Sequence, residues 1–227
     1  DYDAALSEVA KAQSIRPDWS QAAILRSQVL RDSAPAKAGQ SLREFLDKYP
    51  DANDVRLAYA RLLVGEKAYL SAREQYTKAA LRQPADAEIP YAIALLSQQI
   101  EDFAEADLQF RRVLELKPTD QNPVFFNLGA VAEARKLPSV AIDWFRQIGK
   151  GEYFVSAQLK IAGVLSKRDG MAAGRRFLRD AQLAETESPE TRIQLILAES
   201  QLLRDARAHR EAFDLLAEAI KSEPDTS

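Results

Sequence analysis

Four segments of this chain carry the same spacing of side chains: Ala, a larger apolar residue four positions on, a further apolar residue at seven, and proline at twelve. They are Ala5/Val9/Ala12/Pro17, Ala72/Tyr76/Ala79/Pro84, Ala106/Phe110/Val113/Pro118 and Ala212/Leu216/Ala219/Pro224. Pro17, Pro50, Pro84 and Pro118 fall 33, 34 and 34 residues apart. Offsets of four and seven lie on one face of a helix. The small residue lets a neighbouring helix come close, and the larger ones fill the space around it. Proline, lacking an N–H and disfavouring helical geometry before it, closes each helix. Acidic or Thr-Asp turns then open the next one, at Pro17-Asp18, Pro50-Asp51 and Pro118-Thr119-Asp120.

The spacing continues, without the proline, at Ala141/Phe145/Ile148 and Gly174/Leu178/Ala181. Ahead of these helices stand others marked by a large residue followed by a small one: Tyr59-Ala60, Ile93-Ala94, Leu128-Gly129 and Ile161-Ala162. A period of 34 residues holding two helices signals stacked helical hairpins. An ordinary helical bundle has no reason to repeat the pattern. The periodicity predicts a lone helix near 2–14, then six pairs: 20–31/35–48, 52–65/69–82, 86–100/103–116, 121–135/138–149, 152–167/170–184 and 189–206/208–222. No strand is expected.

These residues resemble the tetratricopeptide repeat. Trp is absent from the fourth position of the first helix, where that family carries it; Trp19 falls in a turn and Trp144 on a second helix. The resemblance implies an all-α, right-handed superhelical solenoid of antiparallel pairs over the whole chain, 1–227, as a single array. Its first helices would line a concave groove that binds a protein or peptide partner. The groove positions map to Gln21, Ile24, Gln28, Leu57, Arg61, Tyr91, Leu95, Gln98, Phe126, Ala130, Glu133, Leu159 and Gly163. Of these, Leu57, Arg61, Tyr91, Leu95, Gln98, Phe126, Ala130 and Glu133 are the candidate partner site. The mapping gives them no packing duty within their own pair, so Tyr91, Leu95 and Phe126 would form an apolar stripe suited to an extended segment or an amphipathic helix. Phe125 and Phe126 are adjacent, and either could be the packing residue. A family variant grips a terminal carboxylate with Lys, Asn and Arg; Asn127 fits it, but Glu88, Tyr91, Pro123 and Phe126 hold the sites around it.

The stretches Asp54–Val64 and Arg192–Arg204 are also similar to long envelope-associated tetratricopeptide proteins of proteobacteria. That similarity implies a scaffold in envelope assembly or secretion, with a periplasmic or envelope location favoured over the cytoplasm. The other class it leaves open is the substrate-positioning arm of a larger enzyme or regulator. The chain opens inside a helix, and its last helix keeps an apolar face. It therefore reads as an internal fragment of a longer repeat protein, with self-association through the end faces a further expectation. One pair cannot stand alone: ordering backbone costs about 1–2 kcal/mol per residue, while burying a Leu or Phe returns about 1.5–3 kcal/mol. Stacked neighbours supply the difference.

Composition narrows the chemistry. A net charge of −3 gives no basic surplus for nucleic acid. There is no Cys, so disulfides, thiolate nucleophiles and Cys-ligated zinc are excluded. His209, the single histidine, lies beside Arg207 and Arg210 at a turn without catalytic partners in the sequence pattern. No phosphate loop or metal set is recognisable, and the expectation is a non-enzyme without cofactors. No apolar run is long enough to span a membrane. Lys167, Arg168, Arg175, Arg176 and Arg179 form a local basic cluster, either a solvated surface or a contact for an anionic partner.

Overall fold

A computed structural model describes residues 2–222. Among the described residues there are thirteen helices and no strand. In chain order they are α1 (Tyr2–Ile15), α2 (Ser20–Ser33), α3 (Pro35–Lys48), α4 (Asn53–Gly65), α5 (Tyr69–Ala80), α6 (Glu88–Gln99), α7 (Phe103–Glu115), α8 (Asn122–Ala134), α9 (Pro138–Phe145), α10 (Phe154–Asp169), α11 (Met171–Ala184), α12 (Pro189–Asp205) and α13 (His209–Ser222). They follow the expected lone helix and six pairs to within a few residues, apart from α9. Pro224, the last repeat proline, lies outside the described residues. The helices group into two compact units that divide in sequence between Pro118 and Thr119.

In the first unit α1 to α7 pack each on its chain neighbour, and α2 also touches α4. In the second unit α8 to α13 do the same, with α10 also touching α12. Turns of one to three residues inside each pair make the two helices antiparallel neighbours. The repeating ladder is the core. Ala72, Ala79, Ala106, Phe110, Ala141, Phe145 and Leu178 are fully shielded from solvent. So are Ala60, Ala94, Leu128, Ile161 and Ala162 on the facing first helices. Gly129 shows why the second residue of each large-small pair is small. A Cβ there would come within 2.4 Å of the Phe145 ring.

Four of the turns within pairs share one device. The residue two past the helix end takes a positive φ: Lys67, Glu101, Lys136 and Arg207, at 59°, 61°, 59° and 63°. The next N–H reaches back to a carbonyl five residues earlier: Ala68 to Leu63, Asp102 to Ser97, Leu137 to Ala132 and Ala208 to Leu203. This closure satisfies the orphan carbonyls of each helix end, and Gly is its usual occupant. Side-chain caps are few. The Asp102 carboxylate accepts the Glu105 N–H at 3.3 Å, and the Ser188 hydroxyl accepts the Thr191 N–H at 3.1 Å.

Helix α9 stops at Phe145, short of the expected 149. Tighter bonds from Gln147 N–H to the Trp144 carbonyl and from Ile148 N–H to that of Phe145 end it. Gly149 and Gly151 follow, the latter at a φ of 138° that favours glycine. Ile148 still reaches the core, at 4% exposure.

Candidate functional site

The first helices carry the candidate residues, and the structure sorts those residues into two clefts, one in each unit. In the first unit a cavity of about 600 Å³ lies over α2 and α4. Ile24, Gln28 and Arg31 line it from α2, and Asp54, Leu57 and Arg61 from α4. Arg61 also lies beside the phenol of Tyr76 on the partner helix. Burial pushes the Tyr76 phenol above its ordinary range, and the Arg61 guanidinium pulls it part of the way back.

In the second unit a cavity of about 590 Å³ is framed by α8, α10, α11 and the end of α12. Phe126, Leu159, Met171 and Leu202 give it an apolar lining. Gly163 leaves bare backbone on its floor. Glu133 stands on one wall and is bridged by Lys160 at 3.0 Å and Lys167 at 3.6 Å. A smaller cavity of about 340 Å³ shares Glu133 and Lys167 and continues to Lys136 and Arg168.

The candidate residues are therefore brought together in part. Leu57 and Arg61 share the first cleft; Phe126 and Glu133 share the second. Tyr91, Leu95, Gln98 and Ala130 belong to neither lining. Leu95 is 40% exposed, while Tyr91, Gln98 and Ala130 are half-buried.

The groove aromatics do have packing duties within their pairs, contrary to the mapping. Tyr91 meets Phe110 edge-on, with ring centroids 5.7 Å apart. Phe126 meets Phe145 and Tyr153, each at 5.6 Å. Phe125 stacks on Trp144 at 6.0 Å. Both adjacent phenylalanines of α8 are half-buried and both touch the core, because consecutive helical residues point about 100° apart and α9 is gripped on two sides. The mapped groove positions leave out Lys160, Met171, Leu202 and Asp205 of the second cleft, and Lys167 entered only through the basic cluster. Lys160 directly follows the mapped Leu159 and Lys167 stands one turn after the mapped Gly163, and that adjacency was the available signal.

The basic cluster does not form one free patch. Arg175 and Arg179 pair with Glu199, Arg168 with Asp169, and Lys167 with Glu133. His209 is the exposed first residue of α13. Among the described residues no group of three or more His, Cys, Asp or Glu could hold a metal ion. None of the described helices is long and apolar enough to cross a membrane.

Comparison with known proteins gives a consistent answer. No family model matches the chain. A TPR repeat-containing protein, PA4667, of Pseudomonas aeruginosa is 33% identical over 100 residues, which is 44% of this chain and 16% of that much longer protein. YrrB, described as a TPR protein with an unusual peptide-binding site, superposes with a TM-score of 0.52 at 17% identity, covering 83% of this chain and 95% of YrrB. PilW, a type IV pilus biogenesis factor, gives a TM-score of 0.54 at 18% identity, covering 87% of this chain and 91% of PilW. With the 34-residue period, the small-residue ladder and the paired helices now seen in three dimensions, the chain has the fold of tetratricopeptide-repeat proteins.

Proposed function

We propose that this chain is a non-catalytic scaffold that holds a segment of a partner protein against its first helices, in bacterial envelope assembly or secretion. The observation that carries this reading is the apolar cleft of the second unit, lined by Phe126, Leu159 and Gly163 at groove positions and rimmed by charge. A cavity with an apolar floor and a few convergent polar groups is what a protein segment anchors in. The peptide-binding site of YrrB and the pilus role of PilW support the reading on the same fold. The repeat register carries on from Ala106 to Ala141, which supports taking both units as parts of one array. Association between copies belongs to the same reading. On α13, Phe213 and Ile220 are 71% and 77% exposed, and light scattering across concentrations tests whether they draw copies together.

Site-specific photo-crosslinking in an envelope extract tests the scaffold. A benzoyl-phenylalanine placed at Gln28, Arg61 or Leu159 should crosslink a protein partner. The same group at exposed Lys78 or Asp180, on second helices, should not. Adducts formed only at Lys78 and Asp180, or at no position, would overturn the assignment.

A further inference from the structure

Gly163 stands in the middle of α10 with no packing reason to be glycine. A Cβ built there meets nothing within 4 Å. At Gly129 a Cβ would strike the Phe145 ring at 2.4 Å, and at Gly174 the Ala162 carbonyl oxygen at 2.4 Å. Those two glycines are demanded by the fold. Gly163 is not, and glycine in a helix interior costs about 1 kcal/mol relative to Ala. What it provides is open space between Phe126, Leu159, Met171 and Leu202, where another chain can approach the helix backbone.

The charges beside this opening are unequal. Lys136, Lys160, Lys167 and Arg168 face only Glu133 and Asp169 along this rim. Glu133 keeps Lys160 at 3.0 Å, and Arg168 keeps Asp169 at 2.6 Å. Lys167 reaches Glu133 only at 3.6 Å, with 80% of its side chain exposed. Lys136 is exposed and has no ion-pair partner among the described residues. An incoming carboxylate can therefore engage Lys136 and Lys167 without breaking either short pair. Asp205, at the end of α12, also lines the cleft and repels a carboxylate, so the acid is drawn to the lysines instead.

We propose that the second cleft selects a protein segment presenting one large apolar side chain over Gly163 and a carboxylate two residues away. Gly163 and Lys167 are one helical turn apart, about 6 Å at 1.5 Å per residue. An extended segment advances about 6.6 Å over two residues. This inference rests on the scaffold reading and adds the chemistry of what is bound.

Fluorescence anisotropy with blocked nonapeptides of Gly and Ser tests it. The parent probes carry one Phe and one Glu two residues away, in either order. Controls replace Phe by Ala, or Glu by Gln or Lys. The chain should bind one parent probe at least about tenfold more tightly than its Ala or Lys control. Gly163→Leu should lose at least about tenfold in affinity while its thermal midpoint stays equal or rises. Lys136→Glu/Lys167→Glu should prefer the Lys control over the parent. The proposal is overturned by a folded Gly163→Leu that binds the parent like the original chain. It is also overturned if the Lys control binds as well as the parent, or if neither parent shows saturable binding. Protein crosslinks at Gln28, Arg61 or Leu159 alongside such a result would leave the scaffold standing and remove only this specificity.

Discussion

The guanidinium of Arg175 on α11 meets the carboxylate of Glu199 on α12 at 3.0 Å, with the Glu199 side chain fully shielded from solvent. Arg179 reaches the same carboxylate oxygen at 3.1 Å, and the Gln182 amide donates to the other oxygen at 3.2 Å. Arg175 extends further to Glu211 on α13 at 2.6 Å, so one side chain ties three helices of the second unit. Arg73 plays the same part in the first unit. It stands on α5 one residue past Ala72, as Arg175 stands one past Gly174, and it reaches Ser97 on α6 and Asp102 before α7.

Removing one partner of a buried, hydrogen-bonded pair leaves the other charge stranded. Glu199→Ala is expected to destabilise the chain by about 3 kcal/mol, within the usual cost of such a break. Arg179→Ala, at a side chain 53% exposed, should cost about 1 kcal/mol or less. Urea titrations of the two variants give the comparison, and a loss at Arg179 as large as at Glu199 would contradict it.

Two glycines on neighbouring first helices should respond oppositely to the same substitution. Gly129→Ala forces a methyl group into the Phe145 ring and should cost about 1–3 kcal/mol of overpacking. Gly163→Ala meets open space and should gain up to about 1 kcal/mol from helix propensity. Thermal denaturation of the pair checks the sign of each change.

The left-handed turn residues are a reservoir of small gains. At Glu101 and Arg207 a side chain sits at a φ of 61° and 63°, where L-residues pay roughly 1–2 kcal/mol. Glycine removes that strain but gives back part through its freer unfolded state. Glu101→Gly and Arg207→Gly should each stabilise by about 0.5–1 kcal/mol. An unchanged or lowered melting temperature in both would show that these turns carry no strain.

Acid should loosen specific joints. The Arg73 side chain and the Glu105 N–H hold the Asp102 carboxyl below the ordinary carboxylate range. The Ser188 N–H, then that of Glu187 and the charge of Lys150, do the same for Glu185. A carboxyl whose folded value is depressed stabilises fully above its unfolded value and loses that contribution as pH falls through the folded one. The melting temperature should therefore drop as pH falls below the ordinary carboxylate range. The drop should be shallower in Asp102→Asn, which has already lost its share. Parallel pH profiles for the two chains would refute the assignment to Asp102.

The pairing of helices, their turns and the buried ladder were legible in the residues. Ala72, Tyr76 and Ala79 repeat as Ala106, Phe110 and Val113, and all six are buried. The clefts were legible only in part. Leu57 and Arg61 share one cavity and Phe126 and Glu133 another, yet Phe126 also packs on Phe145 and Tyr153, which the spacing of α8 alone does not reveal. The basic run on α10 and α11 read as one cluster, and its members turn to four different carboxylates, those of Glu133, Asp169, Glu199 and Glu211.

The division has a physical cause. Helix periodicity, proline stops and the need for a small residue at each close crossing are decided within one turn or one 34-residue unit, so the sequence determined them by itself. Which side chains share a cleft depends on how far each helix is rotated and shifted against partners dozens of residues away. Glu133 meets Lys160 at a separation of 27 residues, and Arg175 meets Glu199 at 24. Those rotations come from packing summed over whole helix faces, and only the tertiary structure decides them.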